Sequence, residues 1–167
     1  MIDFDGSGMP TIEWGEIFHV GLRVVDIAVA QADLTSSMNL HWTPTLSIPM
    51  SAWVPGEGQK EYVMDMSHSM EGPVHLELLS GPPGSVWDAS ESPGLHHIGV
   101  WVDDVKGVNE ELVKAGWSVE MAGLSPEEGY GGFTYVRSPA GILFEPESCL
   151  GGGKQRFARW WGGGDLF

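Results

Sequence analysis

Two stretches of this chain, 78 positions apart, carry the same phrase, and that internal repeat constrains the fold more than any other feature. "FHVGLRVVDI" runs from Phe18 to Ile27 and "LHHIGVWVDD" from Leu95 to Asp104. Aligned, they pair His19 with His97, Gly21 with Gly99 and Asp26 with Asp104. After each aspartate the apolar positions take helical spacing, Ile27, Ala30 and Leu34 in the first copy and Val105, Val108 and Leu112 in the second. Each aspartate is placed as a helix N-cap, its carboxylate accepting from free N–H groups of the first turn. Further on, "VHLELLSG" and "ILFEPESC" each set a glutamate, Glu77 or Glu145, in an apolar strand-like run.

The predicted unit is therefore βαβββ, written twice. Its first copy has a strand at 16–25, a helix at 26–38 and strands near 40–48, 60–67 and 73–80. The second has a strand at 95–103, a helix at 104–115 and strands near 117–122, 132–137 and 141–148. The fold class is α+β: two tandem βαβββ modules, neither able to bury a core alone, packed into a curved mixed sheet around a shared cleft. The predicted organisation is an N-terminal arm at 1–15, a first module at 16–80, a connector at 81–94, a second module at 95–148 and a C-terminal tail at 149–167. The tail, with "RFARWW" between glycine runs, is expected to be a lid, a dimer arm or a frayed end, and a homodimer is the expected assembly.

Composition narrows the partners. Eight basic and 23 acidic residues leave a net charge of −15, which repels phosphate backbones and anionic lipid surfaces. The expected partner is a small-molecule substrate, with no nucleic acid and no membrane. Cys149 is the only cysteine, which excludes an intramolecular disulfide and a cysteine-rich zinc site. The first residues lack a basic start and an apolar core, and no apolar run reaches the ~20 residues of a spanning helix, so a cytoplasmic location is expected.

Strand alternation brings chemistry to particular faces. His19 shares a face with Gly21 and Arg23, His97 with Gly99 and Trp101, and Glu77 and Glu145 sit on faces of their own strands. If these faces meet, two imidazoles and two carboxylates form a mixed N/O ligand set for a divalent ion such as Zn, Ni, Co, Mn or Fe. The glycines would keep the cleft open. Arg23 and Trp101 are candidates to hold a substrate anion and a substrate ring. His96 is expected to point away from the cleft when its neighbour His97 points in.

Across residues 16–148 these motifs, "FHVGLRVVDI", "HLELL", "LHHIGVWVDDV" and "YVRSPAGILFEPE", resemble the vicinal oxygen chelate superfamily, which includes glyoxalase I, methylmalonyl-CoA epimerase, fosfomycin-resistance proteins and extradiol dioxygenases. The resemblance implies paired modules around a metal cleft, with ligands at His19, Glu77, His97 and Glu145. A His, Glu, His, Glu set is similar to that of glyoxalase I, which implies lyase or isomerase chemistry by metal-assisted proton transfer, with Glu77 or Glu145 as the mobile base. Only four arginines are present to meet the carboxylates of glutathione or the phosphates of coenzyme A, so the expected substrate is a small apolar or aromatic carbonyl or hydroxyl compound. Two alternatives stay open. Tyr135, ten residues before Glu145, resembles a pocket tyrosine of extradiol dioxygenases, which use Fe(II), and bleomycin-resistance members sequester ligands without catalysis.

Overall fold

A computed structural model describes residues 15–90 and 92–167, so the predicted arm lies almost wholly outside the described residues. The first half contains β1 (Ile17–Arg23), α1 (Ile27–Met38), β2 (Leu46–Val54), β3 (Gly58–His68) and β4 (His75–Ser80). The second contains β5 (Gly94–Val102), α2 (Val105–Lys114), β6 (Ser118–Ala122), β7 (Thr134–Arg137) and β8 (Leu143–Ser148), and a final helix, α3 (Gly153–Trp161), follows. Both predicted caps form: Asp26 accepts from the Val29 N–H and Asp104 from the Gly107 N–H, each at 3.0 Å.

The strands run in the order β1-β4-β3-β2-β6-β7-β8-β5 and close into a barrel. Within each half the first strand is parallel to the last, β1 to β4 and β5 to β8. The halves join by two antiparallel seams, a long one between β1 and β5 and a single residue pair, Trp53 with Ala122, between β2 and β6. The expected curved sheet thus becomes a closed one.

The main departure from the predicted elements is β2. Its expected span near 40–48 is displaced to Leu46–Val54, in unbroken antiparallel register with β3 from Leu46↔Met66 to Val54↔Gly58. Gly56 and Gly58 take φ of 76° and 77°, which permits the tight turn of "VPGEG" that sets this register. Pro44 has no N–H to give a ladder, so the chain before Leu46 stays outside the strand. Pro49 is tolerated inside β2 because only Trp53 of that strand pairs with β6.

The tail folds back onto its own barrel. Gly151 and Gly152 take φ of 65° and 83°, conformations open to glycine, and turn the chain from β8 into α3. Phe157, Trp160 and Trp161 fall at i, i+3 and i+4 on one helical face. Trp160 is 1% exposed and joins the interior cluster with Leu166, Met64, Met66 and Trp87. The aromatic residues that suggested a dimer arm are therefore turned inward, and the expectation of a dimer loses that support. Trp160→Ala should lower the unfolding free energy by about 3 to 5 kcal/mol, the scale for removing a large buried ring. Denaturant titration checks this, and a change under ~1 kcal/mol would mean the tail is not part of the core.

Candidate metal centre

The seam between β1 and β5 assembles the site. His19 lies opposite Gly99, and Gly21 lies opposite His97. On the outer flanks, Gly21 pairs with Glu77 of β4 and Gly99 with Glu145 of β8. Two adjacent rows result, Glu77–Gly21–His97 and His19–Gly99–Glu145, each with glycine between a carboxylate and an imidazole. The glycines do more than keep a cleft open. A Cβ on Gly21 would sit 2.2 Å from His97 Cε1, and one on Gly99 would sit 2.3 Å from His19 Cε1. Each histidine ring lies in the space left by the other copy's glycine.

All four expected ligand residues come together, with one donor atom from each lying within 4.8 Å of all the others. His19 Nε2 and His97 Nε2 are 2.6 Å apart, and Glu145 Oε2 is 3.0 Å from both. Glu77 Oε2 is 3.5 Å from His19 Nε2 and 3.3 Å from His97 Nε2, and it is buried with no hydrogen-bond partner.

The electrostatics favour a cation at this point. Burial opposes charge on Glu145, but the His97 and His19 rings overcome it and pull the carboxyl down to about 2. Burial also opposes charge on His97, yet Glu145 and Glu77 push it up to about 10. Glu77 likewise lies well below the usual carboxylate range, burial being outweighed by His19, His68 and His97. A field strong enough to hold a proton between buried carboxylates is also one that favours a dication, and two imidazole nitrogens with two carboxylate oxygens suit Zn, Ni, Co, Mn or Fe. The residues fit a metal.

A second layer of groups stands behind the donors. His96 Nδ1 is 2.9 Å from His97 Nδ1, and burial holds His96 down at about 3, so its neutral ring accepts from the His97 N–H. His68 Nε2 is 3.1 Å from Glu77 Oε1. The Tyr135 hydroxyl accepts from Trp87 Nε1 at 3.1 Å, its ring lies 4.9 Å from that of His97, and burial with the nearby Glu145 and Glu77 carboxylates raises it well above its usual range, so it remains a phenol. Tyr135 thus packs against His97 and lines a cavity together with Glu77 and Glu145.

His96 corrects an expectation. It faces inward alongside His97 because the β1–β5 register slips there, Gly21 pairing with His97 and Leu22 with Leu95. The same slip occurs at the other copy's equivalent, Phe18, between Ile17↔Val100 and His19↔Gly99. Strict alternation fails at both bulges. The one available signal was that each ligand histidine follows a ring, Phe18 or His96. Phe18 stands edge-on to His19 at 4.2 Å and offers no acceptor, and His19 Nδ1 is buried unpartnered.

The expected substrate contacts are placed differently from one another. Trp101 stacks on Phe18 at 3.7 Å and meets Phe157 edge-on, so it is packed in the interior. Arg23 donates to the Val86 carbonyl and Ser92 hydroxyl and borders a second cavity of about 210 Å³ with His96, His97 and Arg137. The larger cavity, about 480 Å³, has Glu77 and Glu145 at its polar end beside Glu147 and Arg156, and neither Arg23 nor Trp101 lines it. Its walls include Met50, Met64, Met66, Phe133, Phe157 and Leu166. Glu147, two residues past Glu145 on the same face, was not singled out in the sequence, and burial with the repulsion of Glu145 and Glu77 raises its carboxyl well above the usual range.

Residues 18–135 match the family model described as the Glyoxalase/Bleomycin resistance protein/Dioxygenase superfamily, and the chain belongs to that superfamily. A methylmalonyl-CoA epimerase solved with methylmalonyl-CoA and NH4+ is similar at 20% identity and a TM-score of 0.57, over 83% of this chain and 96% of that one. A hypothetical protein from Bacillus halodurans is similar at 19% identity and a TM-score of 0.54, over 80% of this chain and 93% of that one. A mutant 4-hydroxymandelate synthase from Streptomyces coelicolor is similar at 16% identity and a TM-score of 0.55, over 79% of this chain and 47% of that one. These likenesses establish a shared fold. No curated protein compared with the chain matches it. Among the described residues no helix is long and apolar enough to cross a membrane.

Purified protein should contain close to one divalent metal per chain by elemental analysis. His19→Ala and Glu145→Ala should abolish that content, and Gly99→Ala should lower it by displacing His19. Full metal retention in Gly99→Ala, with the fold intact by circular dichroism, would show that the cross-strand glycine does not set the site.

Proposed function

We propose that this member of the superfamily is a metal-dependent isomerase or lyase that moves a proton at the carbon next to a carbonyl or hydroxyl oxygen of a small apolar or aromatic substrate. The observation that carries this reading is the cavity: two carboxylates of the four-donor cluster form the polar end of a space whose walls are otherwise largely apolar. Such walls exclude water and hold a ring or alkyl group by burial, leaving orientation to the polar end. A divalent ion held by His19, Glu77, His97 and Glu145 would supply Lewis-acid stabilisation of negative charge developing on the substrate oxygen.

Glu77 is the base in this scheme. Its side chain lines the cavity, its Oε2 has no hydrogen bond, and its distances to the histidines exceed those of Glu145. Glu145 Oε2 lies 3.0 Å from both rings, which suits a fixed ligand. Glu147, in the same cavity, offers a second carboxyl to hold the substrate or carry a proton. Oxygen-activating chemistry would need room for both catechol and dioxygen beside three donors, and Glu77 occupies that corner as a fourth.

The test uses a panel of aryl-substituted α-hydroxy ketones and α-keto acids in deuterated water. The metal-loaded enzyme should exchange or incorporate deuterium at the carbon beside the oxygen with no oxygen present. Glu77→Gln keeps an oxygen donor and loses the base, so turnover should fall by about 100-fold or more while metal remains bound. Oxygen uptake with ferrous iron and a catechol, with no solvent exchange under nitrogen, would overturn this reading in favour of an extradiol dioxygenase.

A further inference from the structure

One buried ring joins the C-terminal helix to the four-donor cluster, and both of its nitrogens are engaged by groups of fixed character. The Trp161 indole Nε1 lies 3.1 Å from His68 Nδ1, and His68 Nε2 lies 3.1 Å from Glu77 Oε1. An indole N–H can only donate, so His68 Nδ1 accepts and carries no proton. The ring proton is then on Nε2, facing a carboxylate oxygen that can only accept. The opposite tautomer would set N–H against N–H on one side and a lone pair against the carboxylate on the other. His68 is fully buried, so water cannot relieve that mismatch.

We propose that Trp161 is a positioning residue for the metal centre: through the tautomer of His68 it anchors Glu77 Oε1 and leaves Oε2 turned to the other donors. This rests on the reading of His19, Glu77, His97 and Glu145 as metal ligands. The indole is itself held in place. It stacks on His75 at 3.8 Å and 13°, and His75 Nδ1 is tied to the Ser69 carbonyl at 2.7 Å. One turn earlier in α3, Phe157 packs against His68, Phe18 and Trp101. Docking of the tail is thereby coupled to the orientation of a ligand on β4, 84 positions earlier in the sequence than Trp161 (161 − 77). Outer partners of this kind fix ligand orientation, and their loss typically costs 10- to 100-fold in metal affinity, about the range expected here.

Trp161→Phe keeps a flat ring for stacking and deletes only the donor. Imidazole nitrogen resonances of the 15N-labelled, metal-free protein should show His68 as the Nε2–H tautomer in the wild type and a shift toward Nδ1–H in the variant. Zinc affinity, measured by chelator competition, should fall about 10- to 100-fold in Trp161→Phe. His68→Gln can donate to Glu77 from its amide without help from α3. Adding Trp161→Phe to it should therefore change zinc affinity by no more than about twofold. An Nδ1–H tautomer in the wild type, or a Trp161→Phe variant with wild-type zinc affinity, would overturn the proposal. A wild type that takes up no zinc, cobalt, nickel or manganese would defeat the metal reading and the positioning role with it. That failure is separable, because the tautomer comparison needs no metal.

Discussion

The site depends on one steric arrangement, a histidine set across an antiparallel seam from a glycine, made twice. In an antiparallel pair the opposed side chains stand on the same face, so two rings of imidazole size could not meet there unless the residue opposite each were small. His19 against Gly99 and His97 against Gly21 satisfy that condition, and the parallel partners Glu77 and Glu145 complete each row. The repeat explains why both rows exist. A motif with glycine two residues after histidine, paired antiparallel with its own copy, puts each histidine opposite the other's glycine when the pseudo-twofold axis falls midway between them, as it does here at Val20↔Ile98.

Once those donors are buried, charge must be balanced. Two carboxylates and two imidazoles away from water are tolerable only with a compensating cation, and the opposed displacements of Glu145 and His97 express that demand. The groups behind the donors differ between the halves. His96 and Tyr135 lie against His97, Phe18 leaves His19 without an acceptor, and His68 supports Glu77. A symmetric scaffold thus carries an asymmetric site, with Glu77 connected to the tail through His68.

Much of this was legible in the sequence because the local rules are strong. The capped helices after Asp26 and Asp104 follow from residues within one turn, and the ligand strands announce themselves by repetition. The β2 position was misjudged because its register is set by the turn at Gly56 and Gly58, while apolar residues before Pro44 look equally strand-like. His96 was misjudged for a related reason: alternation presumes an unbroken ladder, and a bulge reverses every inference drawn through it. Arg23 and Trp101 share the histidines' strands, but they stand two steps further along, at opposite ends of the barrel beside the bulged rings His96 and Phe18.

The sequence by itself determined the repeat and the βαβββ unit and set His19, Glu77, His97 and Glu145 in strands, since each of these is encoded by spacing within a strand or helix and by a phrase that appears twice. Only the tertiary structure decided which groups stand behind those donors and what shape of space lies before them. His68, Tyr135 and Trp161 reach the site from separate elements, and no periodicity connects them to the histidines. The tail shows the difference most clearly. Its amphipathic aromatic face was visible in "RFARWW", but that face would serve a partner surface as well as its own barrel. What settles the matter is the turn at Gly151 and Gly152, which brings α3 over the interior and buries Trp160 there.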